Sequence, residues 1–391
     1  MELSLDLLQT VGLAIVVYII GDLIKSKIRV LQKYFIPAPV IGGLLFSIIL
    51  FFGYQTGLFY IAMDVTLQNF FMNIFFTTVG FTISAAIIKE SGKLGAILAL
   101  IAVFFLIIQN LIGVGISELF GIHNLLGVAM GSTAMSGGVG SAMAFGPTFE
   151  SLGAEGATTV GAAAATFGLF MGSIIGGPVA KRLIDKHNLK TSIKESTTSG
   201  SQSTKEFESN LFRSVMLVIL TAALGSLISY MLNLTGLTFP YYVGCLFAGG
   251  IVRNLADADM IKININEIDS IGNISLNLFL SMALMNLSIW TLLDLAGPMI
   301  VILVTQTVVI MLYTYFVTFR AMGKTYDAAV MAAGHCGVGL GQTPNAIANM
   351  SSVIEEHGPA PTAWFVLPVI TVVFINIFNP IIITLFINLF S

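Results

Sequence analysis

Long uncharged apolar runs recur along the 391 residues, separated by short polar stretches. Most reach the ~20 residues that a helix needs to cross ~30 Å of hydrocarbon. Ten spans are predicted, at 3–24, 38–54, 68–88, 94–117, 157–180, 211–234, 239–252, 272–293, 297–319 and 361–389. Two segments of mixed polarity interrupt the series, at 119–156 and 320–360, and each has a glycine-rich centre. The first reads Ser136-Gly137-Gly138-Val139-Gly140-Ser141. The second reads Gly334-His335-Cys336-Gly337-Val338-Gly339-Leu340-Gly341-Gln342-Thr343-Pro344-Asn345. Residues 185–209, rich in Ser and Thr, are the one soluble-looking stretch and are predicted to be a flexible cytoplasmic linker.

Composition excludes a soluble protein: 56% of the chain is hydrophobic and 9% charged, against roughly 25% charged in soluble domains. Met1 to Ile24 has no basic leader and no small-residue cleavage site, which predicts a retained first span. The 17 Lys and Arg sort cleanly in the ten-span topology. They follow spans one, three, five, seven and nine, as in Lys25 to Lys33, Lys89 and Lys93, Lys181 to Lys205 with Arg213, Arg253 and Lys262, and Arg320 and Lys324. All lie on one face, which the positive-inside bias makes cytoplasmic, with both termini outside. Asp64, Glu118, His123, Glu150, Glu155 and Asp294 fall on the other face.

The linker divides the chain into an N-terminal half, 1–184, and a C-terminal half, 210–391, that echo each other in order. Pro39-Val40-Ile41-Gly42-Gly43 corresponds to Pro240-Tyr241-Tyr242-Val243-Gly244, and Gly138-Val139-Gly140 to Gly337-Val338-Gly339. Five spans per half is an odd number, so the two repeats are inverted. The expected fold is an all-α polytopic membrane protein of two inverted five-span repeats, each with a re-entrant helical hairpin.

Each hairpin must enter and return on one side for the basic residues to sort. Half-helices of ~10–12 residues rise ~15–18 Å and reach the bilayer midplane. In the first hairpin, Asn124 to Met135 descends, Ser136–Ser141 turns and Ala142 to Leu152 returns. In the second, Tyr326 to Ala333 descends, Gly334–Asn345 forms the tip and Ala346 to Glu355 returns. The tips hold no Lys, Arg, Asp or Glu. An anionic substrate would be held by backbone N–H groups, helix N-termini, hydroxyls and amides. The candidate substrate residues are Ser136, Gly137, Gly138, Gly140, Ser141, His335, Gly337, Gly339, Gly341, Gln342, Thr343, Pro344 and Asn345. Open carbonyls and hydroxyls at such breaks suit Na⁺. The sodium candidates are Ser136, Thr166, Cys336, Gly337, Thr343, Asn376 and Asn379. His335 fits either a satisfied polar group or a substrate contact, and Asp327 fits an N-cap better than an ion ligand. Cys245 and Cys336 read as small buried residues without a disulfide. An enzyme is not expected, because His335 has no nucleophile or metal partner in sequence.

Over about residues 3–390 the chain resembles the bacterial sodium/glutamate symporters. The resemblance rests on Tyr326-Asp327-Ala328-Ala329-Val330, Ala333-Gly334-His335-Cys336-Gly337, Gly339-Leu340-Gly341, Thr343-Pro344 and Ala346-Ile347-Ala348-Asn349-Met350. Ser136-Gly137-Gly138, Ala165-Thr166-Phe167-Gly168-Leu169, Gly176-Gly177-Pro178-Val179-Ala180 and Ser281-Met282-Ala283-Leu284-Met285 support it. The resemblance implies Na⁺-coupled uptake of L-glutamate, with Na⁺ as coupling ion, in a homodimer of the bacterial inner membrane. It also implies alternating access by movement of a transport domain against a dimerising scaffold. Contacts to membrane lipid are expected, and a nucleic-acid partner is not. The family's first tip reads Ser-Gly-Gly-His-Gly-Thr-Gly, whereas this chain has Val139 for the His, Ser141 for the Thr and Ala142 for the last Gly. Gln342 and Asn345 also depart from the pattern, which widens the expected substrate to small acidic compounds related to glutamate. The alternatives are an organic-anion carrier of the same architecture, coupled to sodium or protons, and an ion channel.

Overall fold

The computed structural model describes residues 2–56, 58–191, 210–236, 239–287 and 291–390. Most of the predicted linker, 192–209, lies outside the described residues. The N-terminal half contains β1 (Glu2–Leu5), α1 (Leu7–Lys27), α2 (Arg29–Lys33), α3 (Ala38–Gln55), β2 (Tyr60–Met63), α4 (Thr66–Gly80) and α5 (Ala85–Glu90). It continues through α6 (Gly92–Phe120), α7 (Asn124–Val128), α8 (Gly138–Ser151) and α9 (Ala157–His187). The C-terminal half contains α10 (Leu211–Asn233), α11 (Tyr241–Asp257), α12 (Ile265–Met285), α13 (Thr291–Tyr313), α14 (Phe319–Ala321), α15 (Tyr326–Leu340), α16 (Thr343–His357) and α17 (Pro361–Phe390).

Among the described residues, seven helices are long and apolar enough to cross a membrane. They are α1, α6, α9, α10, α12, the run Leu295–Ala321 and the run Val373–Phe390. The protein is therefore a polytopic helical membrane protein. The other three predicted spans form shorter helices. Ala38–Gly53 is a shorter apolar helix, α11 has 17 residues, and the 68–88 span breaks between α4 and α5. Polar groups at the end of α11 receive that break: Asn254 Nδ2 donates to Ile83 O at 2.9 Å, and Ala85 N–H donates to Asn254 Oδ1 at 2.9 Å. The predicted 272–293 span begins earlier, because Asn264 caps α12 and accepts from Glu267 N–H.

Two further differences arise at the ends of spans. Residues 2–5 are extended rather than helical and pair in parallel with Tyr60–Met63. Asp64 then caps the next turn by accepting from Thr66 N–H at 2.7 Å, and hydrogen bonds from the Thr66 hydroxyl first and its backbone N–H second hold the carboxyl below the usual range. At the other end of the half, α9 runs on to His187, past the predicted start of the linker.

The helices pack as two bundles. In one, α1 packs on α3 and α12, and α4 packs on α10, α11 and α12. In the other, α9 packs on α8, α13, α15 and α16, while α6 and α17 pack on each other and enclose the broken helices. Apolar burial gives little drive between helices in lipid, so close backbone contact matters more. Glycines supply it in the first bundle. A Cβ on Gly80 would lie 2.2 Å from Leu246 O, and one on Gly225 2.4 Å from Cys245 Cα. Between the bundles, α8 meets α12, and Tyr242 of α11, stacked on Phe76 of its own bundle (4.2 Å), meets Phe145 of α8 edge-on (5.2 Å).

This packing predicts that Gly80→Val lowers thermal stability by at least the ~1–3 kcal/mol of ordinary overpacking. Gly115→Val, on an open face of α6 with nothing within 4 Å of its Cβ, should leave stability unchanged. Scanning fluorimetry of the purified variants checks both.

Candidate functional site

The first glycine-rich segment contains two separate irregularities. Its helix opens at Asn124, where His123 Nδ1 accepts from Leu125 N–H at 3.2 Å. A widened turn follows at Ala129–Thr133 and breaks at Gly131, whose φ −86, ψ −135 is not helical. The break takes the usual helical acceptor from Ser132 N–H and a buried amide replaces it, while Ser132 O keeps backbone donors in Ser136 N–H (3.2 Å) and Gly137 N–H (2.9 Å). Ser132 N–H donates to Asn110 Oδ1 at 2.8 Å, and Ser132 O accepts from Asn379 Nδ2 at 3.1 Å. The helix is then interrupted by a turn at Ser136–Gly137, and α8 starts at Gly138 with φ +68, a left-handed conformation that favours glycine.

The second segment departs from expectation. Gly334 to Leu340 is helical and belongs to α15, so the break is confined to Gly341–Gln342, and α16 begins at Thr343 with Pro344 in its first turn. These glycines serve close approach instead of a turn. A Cβ on Gly337 would lie 2.5 Å from Ala346 N, and one on Gly339 2.7 Å from Ile310 Cδ1. Facing them, α9 presents Gly168, Gly172 and Gly176 at helical spacing, and a Cβ on Gly168 would lie 2.1 Å from Leu340 O. Asn345 and Asn349, one turn apart on α16, donate to Leu169 O (2.8 Å) and Gly172 O (2.7 Å) of α9. Asn349 also donates to Ala333 O at 3.2 Å.

The two breaks meet. A Cβ on Gly138 would lie 2.7 Å from Gln342 Nε2, so the start of α8 adjoins the N-cap of α16. Gln109 of α6 ties them together: its Nε2 donates to Gly339 O at 2.7 Å, and its Oε1 accepts from Ser136 Oγ at 2.6 Å. Gln306 of α13 donates to Gln109 O at 2.7 Å. Gly140 faces the other bundle, where Phe75 Cε1 lies 3.5 Å from its would-be Cβ. The nearby charge is therefore dipolar: two helix N-termini converge where no Lys, Arg, Asp or Glu is present between 124 and 149 or between 328 and 354.

The other expected residues divide between this junction and positions elsewhere. Ser136 is buried, Gly137, Ser141, Gln342 and Thr343 are half-buried, and Pro344 is exposed. Thr166 donates to Ala162 O within its own helix, at 2.8 Å. His335 and Cys336 lie inside α15, against Thr318 Oγ1 (3.0 Å) and Thr314 Oγ1 (3.1 Å) of the neighbouring π-turn Thr314–Thr318. Asn376 is half-buried, and Asn379 joins the Gly131 break. Asp327 accepts from Ala363 N–H at 3.0 Å and so caps α17, while Thr325 caps α15. Both cysteines are free and buried. Among the described residues, no cluster of His, Cys, Asp and Glu could hold a metal. Gln109, Asn110, Gln306 and Asn349 were not among the expected site residues. A signal existed for the first three: each is an uncharged amide inside an otherwise apolar span, a placement that marks function in membrane helices.

Helices that break inside a polytopic bundle and meet over neutral dipoles have the build of a secondary transporter. A sequence model of the sodium/glutamate symporter family matches residues 3–359. The chain is 38% identical over 393 residues to the sodium/glutamate symporter of Escherichia coli K12, covering 98% of both chains. It is 34% identical over 389 residues to that of Haemophilus influenzae, covering 97% of this chain and 96% of the relative. The chain belongs to the sodium/glutamate symporter family.

Asn349→Leu should leave the carbonyls of Gly172 and Ala333 without their amide donor and lower stability by about 1–3 kcal/mol. Thermal unfolding in detergent checks this, with wild-type Tm as the opposing result.

Proposed function

We propose that the protein is a secondary active transporter that couples inward Na⁺ movement to uptake of L-glutamate or a closely related small acidic substrate. One observation carries the reading: the N-terminal ends of α8 and α16 converge at Gly138 and Gln342, on segments that hold no charged residue from 124 to 149 and from 328 to 354. First-turn N–H groups have no intrahelical acceptor, and with the helix dipole they make a ready anion site. The substrate carboxylates bind between Ser136–Ser141 and Gly341–Asn345. Family membership supports both the coupling ion and the substrate class, because the matched relatives are named sodium/glutamate symporters.

In this reading the halves 1–184 and 210–391 are inverted repeats with both termini outside the cytoplasm of a bacterial inner membrane. Residues 119–156 and 320–360 are re-entrant hairpins. The bundle holding both breaks (α6 to α9 and α13 to α17) slides as a transport domain against the bundle of α1, α3, α4 and α10 to α12. That second bundle forms the scaffold and the homodimer contact. The aromatic contact of Phe145 with Tyr242 lies on the sliding surface.

Purified protein in proteoliposomes should accumulate labelled L-glutamate under an imposed inward Na⁺ gradient, and a protonophore should not abolish it. Accumulation that follows a proton gradient and ignores Na⁺ would overturn the coupling; none for any small dicarboxylate would overturn the substrate class. Gly138→Ala adds both left-handed strain and a clash with Gln342, and should reduce uptake about tenfold or more.

A further inference from the structure

Around Gly131 the buried polar atoms do not all find partners. Ser132 Oγ, Thr133 Oγ1 and Asn379 Oδ1 are buried, and each is without a hydrogen-bond partner among the described residues. Gln306 Oε1 is in the same condition. Turning the amides over does not relieve the two amide oxygens. Asn379 is oriented by its Nδ2 donating to Ser132 O, and Gln306 by its Nε2 donating to Gln109 O. Both oxygens are left as pure acceptors. Pro380 adds one more oxygen, because it has no N–H to offer the carbonyl of Asn376 one turn earlier on α17. Neutral oxygen acceptors thus gather where the backbone is broken, on a hairpin that has no carboxylate before Glu150.

We propose that the turn at Gly131 is the coupling-ion site, with Ser132 Oγ, Thr133 Oγ1 and Asn379 Oδ1 as side-chain ligands of one Na⁺. The proposal rests on the reading of the chain as sodium-coupled. Hard cations take oxygen ligands, and a divalent ion would call for carboxylates that this set lacks, so uncharged oxygens at a broken helix suit a monovalent one. The same residues link the ion to the substrate junction. Asn110 holds Ser132, and its neighbour Gln109 holds Ser136 and Gly339. Fixing the turn at Gly131 therefore fixes both sides of the junction where the substrate carboxylates bind. That gives coupling a path through hydrogen bonds from ion to substrate.

The test is the thermal stability of purified protein in detergent, without substrate, titrated with NaCl against choline chloride and KCl at constant ionic strength. Wild type should be stabilised by Na⁺ alone. Ser132→Ala, Thr133→Val and Asn379→Ala should each raise the Na⁺ midpoint about tenfold or abolish the shift. Thr133→Ser keeps the hydroxyl and should restore it. Thr158→Val removes another buried unpartnered hydroxyl, packed against Gly146 at the far end of α8, and should leave the midpoint unchanged. Equal stabilisation of wild type by Na⁺ and K⁺ would mean that water occupies these oxygens, and would overturn the site. So would wild-type Na⁺ midpoints in the folded variants. A wild-type Na⁺ shift lost in the variants, with no labelled glutamate entering proteoliposomes, would leave the ion site standing and reject the substrate.

Discussion

Backbone N–H and C=O groups cannot be left open where water does not reach, and this constraint organises the interior of the protein. Six buried amide side chains answer it: Gln109, Asn110, Gln306, Asn345, Asn349 and Asn379 each bond at least one backbone group on another element. An isolated break at Gly131 or Gly341 would cost several kcal/mol per unsatisfied group in a low-dielectric core. With the amides in place the breaks are permanent features of one packed unit. Their positions are also tied to each other through α6, where Asn110 bonds Ser132 beside Gly131 and its neighbour Gln109 bonds Ser136 and Gly339.

Glycine sets the other half of the geometry. The stripe on α9 at Gly168, Gly172 and Gly176 lets α15 and α16 approach until Asn345 and Asn349 reach α9 carbonyls. Similar contacts at Gly80 and Gly225 close the other bundle. Between the bundles Phe145 meets Tyr242 edge-on, and the six buried amides named above all lie in the bundle that holds the breaks. An interior locked by amides, meeting a neighbour through apolar surfaces, can move as a body while the site inside it keeps its shape. That is the physical basis for the proposal that substrate and ion travel together in one moving body.

Much of this was legible in the sequence. The long apolar runs locate α1, α6, α9, α10 and α17, and the two glycine-rich segments contain both breaks. What misled was the double use of glycine. Gly334, Gly337 and Gly339 read as a turn, yet they lie inside α15, where each lets a neighbour approach. Local sequence does not separate permissive backbone from close packing, since the difference lies in what stands opposite. Gly138, with φ +68, is the contrasting case in which conformation is the reason. Gln109 and Asn110 were hidden for another reason: a single amide pair hardly alters the hydropathy of a 29-residue helix. The turn at Gly131 gave no warning, because Ser and Thr in membrane helices usually serve packing.

The most direct test is a cryo-EM structure of the protein in lipid nanodiscs with Na⁺ and L-glutamate. Substrate density should lie between the starts of α8 and α16, within hydrogen-bond reach of backbone N–H groups at Gly138–Gly140 and Thr343. Density held instead by Lys or Arg side chains, or seated outside the junction of the two breaks, would contradict it.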